Sequence, residues 1–296
     1  MGKVAYVFAG QGAQHVGMGR DLYEKIPAAR ACLDRAEALR PGTLSLCFEG
    51  PIEVLSRTSN TQPCLFAVDM ACAAAAREAG VAADMAAGFS LGEVAALCDC
   101  GYLDFDAAFR LVMRRAEWMD AAAERYPGKM AAVLRLSADE VTALAAQFDG
   151  VYPVNFNCPG QTVVAAKAES FDAFCEAVKQ RKGRAMPLNV SGAFHSPFMD
   201  EAQASMAEYL KDMAGNVPSL PLYANLTGEP YPDDWRGTLA MQINHPVRWE
   251  HTIRNMALAG ATTFIELGAG ATLGGLIRKI VPDATILTVQ NLEGMA

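Results

Sequence analysis

The sequence predicts an α/β fold in which a larger body with a parallel sheet carries an inserted ferredoxin-like unit. The apolar run VAYVF at 4–8 ends in a glycine-rich loop, which is typical of a buried strand. A second apolar segment, DMAAGF at 84–89, passes directly into the helical pattern LGEVAALC. After Pro127 the pattern becomes strand, helix, strand, strand, helix, strand, the order of a split βαβ unit.

The remaining elements of the larger body follow from the same patterns. A long helix is predicted over 106–125, and strand-like runs occur in TTFIEL at 262–267 and ATILTV at 284–289. In the insert, Ser137 is the expected N-cap of a helix whose Glu140 completes a capping box, and Gly183 is expected to end the second helix. The predicted division is 1–126 with 191–296 for the larger unit and 127–190 for the ferredoxin-like unit.

Composition limits the classes of function. The chain has 296 residues, is 52% hydrophobic and carries a net charge of -8. That length and hydrophobicity allow a large core, and the acidic balance excludes a general attraction to nucleic acid or anionic membranes. No signal peptide or membrane span is recognisable, and the eight scattered cysteines lack zinc-ligand spacing and suit a reducing cytosol. We therefore expect a cytoplasmic protein without a metal.

GFSLGE at 88–93 has the Gly-x-Ser-x-Gly spacing of a nucleophile elbow, with Ser90 at its centre. In an elbow the glycines permit a tight turn, which presents the hydroxyl at a helix N-terminus where a developing oxyanion is favoured. The motif is short enough to occur by chance, and the alternative is an ordinary serine N-cap. The strand before Ser90 and the helix after it favour the nucleophile.

A nucleophilic serine needs a base and an oxyanion hole. Among the four histidines, His195 lies in the loop SGAFHSPF, and catalytic residues concentrate in loops on a rigid scaffold. We expect His195 to be the base. The backbone N–H groups of Leu91, directly after the serine, and of Gln11, in the loop after the first strand, are the expected oxyanion donors.

Two glycine-rich segments imitate cofactor motifs and are incomplete. GQGAQ, which contains Gln11, is not followed by the Gly-Lys-Ser/Thr of a phosphate loop. GAGATLGG at 268–275 follows a strand, but its third glycine comes one residue late and the expected acidic residue downstream is missing. Close packing of a strand and a helix explains the second set of glycines, so no cofactor is expected.

The helical segment LVMRRAEWM contains Arg114 and Arg115 in an apolar context. One of two such neighbours is usually a solvated surface charge. The other then faces inward and needs an anion, with which a guanidinium pairs well when the anion is a carboxylate. That carboxylate belongs either to a protein side chain or to a substrate.

Together these motifs resemble those of the malonyl-CoA:acyl carrier protein transacylases, which are related to the acyltransferase domains of polyketide synthases. The resemblance covers essentially the whole chain, and the motifs are specific jointly rather than singly. In order they are GQGAQ, TQP at 61–63, GFSLGE, an arginine 25 positions after the serine, VNFNCPGQ, GAFHS and QINHPVRW. Phe89 departs from the pattern, because the family commonly has His there.

The resemblance implies an α/β-hydrolase-like large subdomain and specific residue roles. Ser90 would be the nucleophile and His195 the base, with the oxyanion held by the backbone of Gln11 and Leu91. Arg115 would bind the free carboxylate of the acyl group. Three further roles would be substrate binding by Asn157, exclusion of a 2-methyl branch by the ring of Phe194, and orientation of the base by the backbone carbonyl of Gln242.

The implied reaction transfers malonyl from malonyl-CoA to the phosphopantetheine thiol of acyl carrier protein, for fatty acid or polyketide synthesis. It would proceed by ping-pong through a malonyl-serine, without a cofactor. The sequence carries little information on oligomeric state, and a monomer is the default expectation. The alternative is a serine esterase or thioesterase that releases the acyl group to water. Arg115 argues against that alternative, because a hydrolase of neutral acyl chains has no use for a buried cation.

Overall fold

The architecture comes from a computed structural model that describes residues 2–289. In chain order its strands are β1 (Lys3–Phe8), β2 (Met85–Gly88), β3 (Gly128–Leu134), β4 (Val151–Cys158), β5 (Gln161–Lys167), β6 (Arg184–Pro187), β7 (Leu222–Tyr223), β8 (Ala261–Leu267) and β9 (Thr285–Thr288). Its helices are α1 (Arg20–Lys25), α2 (Pro27–Leu39), α3 (Thr43–Glu49), α4 (Ile52–Leu55), α5 (Thr58–Glu78), α6 (Gly92–Asp99), α7 (Phe105–Arg125), α8 (Ala138–Ala145), α9 (Ala168–Gln180), α10 (Asp200–Leu210), α11 (Trp235–Gln242), α12 (Trp249–Leu258) and α13 (Thr272–Ile280).

The strands form two sheets of opposite character. One has the order β7-β2-β1-β8-β9, and every neighbouring pair in it is parallel. The other has the order β4-β5-β3-β6, and every pair in it is antiparallel, which is the ferredoxin-like arrangement. The predicted fold class is therefore confirmed.

The antiparallel sheet lies between residues 128 and 187, inside the range 127–190 expected for the insert. The unit boundaries themselves stay a prediction. The predicted outer ends at residues 1 and 296 lie outside the described residues. No helix within the described range has the length and apolar character needed to cross a membrane.

The parallel sheet is covered on both faces, which explains why its strands read as continuous apolar runs. Along β1, Tyr6 and Phe8 face the larger core cluster with α5 and α7, whereas Ala5 and Val7 face the cluster with α12 and α13. The carboxyl ends of the strands remain the accessible edge. Ligand sites of open α/β sheets lie at that edge.

The turn from β2 to α6 explains the spacing of the elbow motif. A β-carbon on Gly88 would overlap the backbone of Gly92, and a β-carbon on Gly92 would overlap the carbonyl of Phe8. Both glycines are therefore needed for the strand and helix to approach this closely. Between them Ser90 adopts a left-handed conformation with φ 53°, which is strained for a serine.

The insert confirms one predicted helix end and corrects another. Ser137 and Glu140 form the expected capping box at the start of α8. The helix expected to end at Gly183 ends earlier, at Gln180, and the residue in the left-handed conformation after it is Lys182, with φ 61°. The N–H groups of Lys182 and Gly183 bond to the carbonyls of Lys179 and Val178, which is a Schellman motif.

Asp69 is an unusual core residue that gives a stability prediction. It lies within α5, is fully buried, and neither of its carboxyl oxygens has a hydrogen-bond partner among the described residues. Burial, and then the neighbouring carboxyl of Glu266, raise the pKa of Asp69 well above its ordinary value. Stability from the protonated carboxyl is fully present below the unfolded pKa of about 3.9 and is lost as pH rises through the folded pKa.

We therefore expect Asp69→Asn to reduce the decline in the free energy of unfolding between acidic and alkaline pH. Urea denaturation of both proteins at pH 5, 7 and 9 measures that decline. Asp172→Asn, at an exposed position of α9, is the control and should leave the decline unchanged. An Asp69→Asn protein with the wild-type pH dependence would contradict the assignment.

Candidate active site

The predicted nucleophile and base are in direct contact. The Oγ of Ser90 lies 2.7 Å from the Nε2 of His195, and the Nδ1 of His195 lies 2.9 Å from the backbone carbonyl of Gln242. Because that carbonyl only accepts, Nδ1 carries the proton and Nε2 is free to accept one from the serine. The structure thus places a neutral carbonyl where many serine enzymes have a carboxylate.

The environment of His195 keeps its imidazole neutral. The side chain is 3% exposed, and its backbone is left-handed with φ 59°. Burial, followed by the positive charge of Arg115, lowers the pKa of His195 to about 4, although its backbone acceptors oppose the shift. The imidazole is therefore in the form that can remove a proton at neutral pH.

Arg115 reaches the serine from α7. It is fully buried, and its guanidinium donates to the side-chain carbonyl of Gln62 at 2.8 Å, to that of Gln242 at 3.0 Å and to the Oγ of Ser90 at 3.3 Å. Arg114 instead is exposed and pairs with Glu117 at 2.8 Å. The expected split between an inward and a solvated arginine is therefore what the structure shows.

Neutral amides, not a carboxylate, are the direct partners of the buried guanidinium. Burial lowers the pKa of Arg115 to about 10, and the charge of Glu93 opposes that shift. The side chain therefore stays cationic at neutral pH. Its Nε has no partner among the described residues. A cation held in this way keeps capacity to bind an incoming anion.

The residues expected to hold an oxyanion lie on either side of the site. Leu91 is the N-cap of α6, and Gln11 lies in the loop after β1, with its side chain donating to Thr58 at 3.3 Å. Neither backbone N–H donates a hydrogen bond to any acceptor within residues 2–289. Both donors are therefore available to a ligand.

A cavity of about 540 Å³ opens beside these groups. Ser90, His195, Phe194 and Gln11 line it, as does Asn157 from the end of β4. Much of the remaining wall is apolar, formed by residues that include Met119, Met130, Val163, Leu188, Leu273 and Leu276. Such a cavity suits a ligand with a long, weakly polar arm and a few polar groups.

Two asparagines face the cavity from β4. Asn155 and Asn157 are two positions apart, so both side chains project from the same face of the strand. The Oδ1 atoms of both are buried without a hydrogen-bond partner in the described part of the chain. Asn155 was not predicted, although it stands in the same VNFN motif.

The sequence also failed to single out a buried polar network beneath the serine. Glu93 is fully buried, and its carboxylate accepts from the N–H of Asn225, the hydroxyl of Tyr231 and the side chain of Gln242. Burial raises the pKa of Glu93 to about 7 against those hydrogen bonds. Glu93 belongs to the motif GFSLGE and Gln62 to the motif TQP, so membership of a family motif was the signal that could have identified them. Asn225 had none.

No group of three or more His, Cys, Asp or Glu side chains among residues 2–289 is arranged to hold a metal ion. All eight cysteines are free thiols. What the geometry does assemble is a hydroxyl, a neutral base, two unused backbone donors and a buried cation. Those are the parts of an acyl-transfer site with a preference for an anionic acyl group.

Comparison with known proteins gives likenesses along nearly the whole chain. The acyl transferase domain family matches residues 5–291. The malonyl CoA-acyl carrier protein transacylase of Bacillus subtilis (strain 168) is 38% identical over 301 residues, which cover 99% of this chain and 95% of that protein.

Solved structures agree with the sequence comparison. The malonyl CoA-acyl carrier protein transacylase from Coxiella burnetii has a TM-score of 0.96 at 31% identity, covering 99% of this chain and 96% of that chain. A structure of a type II PKS acyl-carrier protein in complex with its malonyl-transacylase gives a TM-score of 0.95 at 32% identity, covering 99% of this chain and 97% of that chain. The likeness therefore includes both sheets.

Proposed function

The chain belongs to the acyl transferase domain family, and we propose that within this family it is a malonyl-CoA:acyl carrier protein S-malonyltransferase. It moves a malonyl group from malonyl-CoA to the phosphopantetheine thiol of acyl carrier protein, in fatty acid or polyketide synthesis. The observation that most supports this proposal is that the guanidinium of Arg115 is buried and its Nη2 lies 3.3 Å from the Oγ of Ser90. The names of the full-length relatives support the same substrates.

The first half of the reaction loads the serine. His195 accepts the proton of Ser90 as the Oγ attacks the thioester carbonyl, so that a C–O bond forms and a tetrahedral oxyanion develops. The backbone N–H groups of Gln11 and Leu91 stabilise that oxyanion, and the carbonyl of Gln242 holds the imidazolium. Collapse breaks the C–S bond, His195 protonates the departing CoA thiolate, and the malonyl-serine ester remains.

The second half repeats these steps with the carrier. His195 removes the proton of the phosphopantetheine thiol, and the thiolate attacks the ester carbonyl. The C–O bond to Ser90 then breaks, and the serine recovers its proton from the imidazolium. The apolar cavity beside Ser90 accommodates the pantetheine arm of either thiol in turn.

Arg115 supplies the selectivity for a dicarboxylic acyl group. In malonyl a single carbon separates the carbonyl under attack from the free carboxylate, so a cation beside the nucleophile is within reach of that carboxylate. The pairing fixes the acyl group next to Ser90. Phe194 and Asn157 line the same cavity, which supports their roles in shaping the acyl pocket and binding substrate. An esterase or thioesterase of neutral acyl chains is not favoured, because a neutral acyl chain would leave the buried Arg115 without an anionic partner.

The nucleophile, the base and the cation all belong to one chain, which supports action as a monomer with acyl carrier protein as the macromolecular partner. No cofactor or metal is needed for these steps, because the side chains perform every proton transfer. Free thiols at all eight cysteines support placement in the reducing cytoplasm.

Mass spectrometry of the loaded enzyme tests the proposal. Mixing the protein with malonyl-CoA should give a malonyl adduct that maps to Ser90, and phosphopantetheinylated carrier should then remove it and become malonylated. Acetyl-CoA, which lacks the free carboxylate, is the matched control and should label far less. An adduct that is released as free malonate while the carrier stays unmodified would instead establish the hydrolase.

A further inference from the structure

We propose that Glu93 is a positioning residue that, as the carboxylate, holds the backbone of Ser90 in its strained conformation through Asn225 and Gln242. This inference rests on the proposed function only in taking Ser90 as the nucleophile. Glu93 does not touch the Oγ of Ser90 and takes no part in proton transfer. Its contribution is to fix where the nucleophile stands.

Two side chains clamp the peptide groups of the elbow. The Oδ1 of Asn225 accepts from the N–H of Ser90 at 2.7 Å, and its Nδ2 donates to the carbonyl of Gly88 at 2.6 Å. The Nε2 of Gln242 donates to the carbonyl of Ser90 at 2.6 Å. The strained residue is therefore held at both its N–H and its C=O.

Glu93 joins these two clamps. Its Oε1 accepts from the backbone N–H of Asn225 at 2.9 Å, and its Oε2 accepts from the Nε2 of Gln242 at 2.7 Å. Both protons of the Gln242 amide are then used, one on Ser90 and one on Glu93. The amide oxygen of Gln242 is left to face Arg115, and this sets the orientation of the whole side chain.

The donors around Glu93 require a carboxylate. Asn225, Gln242 and the hydroxyl of Tyr231, at 2.7 Å, all present hydrogens to it. A glutamine at this position turns its NH₂ group either toward the amide of Gln242 or toward the N–H of Asn225, so one donor always meets another donor. A buried donor without an acceptor shifts the group that carries it.

Ionisation of Glu93 should therefore appear in the pH dependence of serine reactivity. The titratable or charged groups that face it are Tyr231, from the segment after β7, and Arg115, from α7. Burial raises the pKa of Glu93 to about 7, so the fraction of carboxylate grows as pH rises through that value. His195, with a pKa of about 4, is already neutral there and would by itself give an acid limit near pH 4.

The test compares Glu93→Gln with the wild-type protein toward two serine-directed reagents. A small neutral fluorophosphonate reports the nucleophile alone, and malonyl-CoA reports the nucleophile together with recognition of the carboxylate. Displacement of a nucleophile by about 1 Å costs on the order of 100-fold in rate, so both labelling rates should fall by a similar factor of that size. Glu117→Gln, which removes an exposed carboxylate from Arg114, is the matched control and should change neither rate.

The pH profile separates positioning from a merely structural role. The rate of fluorophosphonate labelling of the wild-type protein should rise with pH through an apparent pKa near 7. This rising limb of the pH profile should be absent in Glu93→Gln. Tyr231→Phe removes one donor to the carboxylate and should move the limb to higher pH, which keeps the test valid even when Glu93→Gln does not fold.

Three results would overturn the inference. One is a wild-type limb near pH 4 with none near 7, and another is a Glu93→Gln protein that keeps the limb. The third is a variant in which only the malonyl rate changes, because Glu93 would then act on the charge of Arg115. Failure of wild-type protein to accept malonyl, with fluorophosphonate labelling still dependent on Glu93, would reject the proposed function and leave this inference standing.

Discussion

Ser90→Ala is expected to abolish the malonyl adduct and to lower carrier malonylation by at least about 10⁴-fold. The substitution removes the Oγ that lies 2.7 Å from His195, and the base then faces a methyl group. The backbone strain at φ 53° is the same for alanine as for serine, so the fold should persist. Release of CoA from malonyl-CoA in the presence of carrier, followed over time, measures the loss.

Ser205→Ala is the matched control for that experiment. Its hydroxyl donates to the backbone carbonyl of Glu201 at 2.9 Å within α10, and Ser205 is not among the described residues that line the cavity. Activity should remain at the wild-type level. A Ser90→Ala protein that still malonylates the carrier would mean that the thiol attacks malonyl-CoA directly, without a covalent intermediate.

Arg115→Met should lower kcat/KM for malonyl-CoA on the order of 100-fold while changing that for acetyl-CoA much less. Charge-assisted hydrogen bonds contribute about 1.5–3 kcal/mol each, and the lost cation would make such bonds to the malonyl carboxylate. Methionine approximates the length of the stem and keeps the position apolar. Steady-state kinetics with both thioesters give the selectivity ratio, kcat/KM for malonyl-CoA divided by that for acetyl-CoA, which should fall in Arg115→Met.

Arg114→Met, one position earlier on α7, removes an exposed arginine and should leave the selectivity ratio intact. In Arg115→Met the side-chain carbonyls of Gln62 and Gln242 lose their hydrogen-bond donor, which can lower the stability of the protein. Thermal unfolding of both variants measures that loss of stability. An equal fall with both thioesters would show that Arg115 supports the nucleophile and does not select the acyl group.

The elbow turn and an inward arginine next to a solvated one could be predicted because each has a local signature, whereas the choice of Arg115 over Arg114 came from the family resemblance. Gly88 is required because a β-carbon there would overlap the backbone of Gly92 within the turn, and the apolar setting of Arg114 and Arg115 shows in their immediate neighbours along one helix. The capping box at Ser137 is likewise a four-residue pattern. Such features depend on a few adjacent residues, so they survive in the sequence.

Contacts made across long stretches of chain could not be predicted. Asn225 is separated from Ser90 by 135 positions, and nothing in its own neighbourhood indicates that it clamps the elbow. Strand β7 has two residues, too few to show any periodicity, and pairing with β2 fixes its place. Lys182 rather than Gly183 takes the left-handed position after α9, because glycine preference is a tendency that local hydrogen bonding can override.

We expect the left-handed backbones of Ser90 and His195 to make the reactive centre less durable than the body that carries it. Each conformation persists because surrounding hydrogen bonds oppose a cost of roughly 1–3 kcal/mol. Low concentrations of urea that loosen those bonds would release both residues while the helices stay intact. Enzymatic assay should thus register inactivation before circular dichroism registers melting, so catalytic half-life is a stricter criterion of storage quality than helical content.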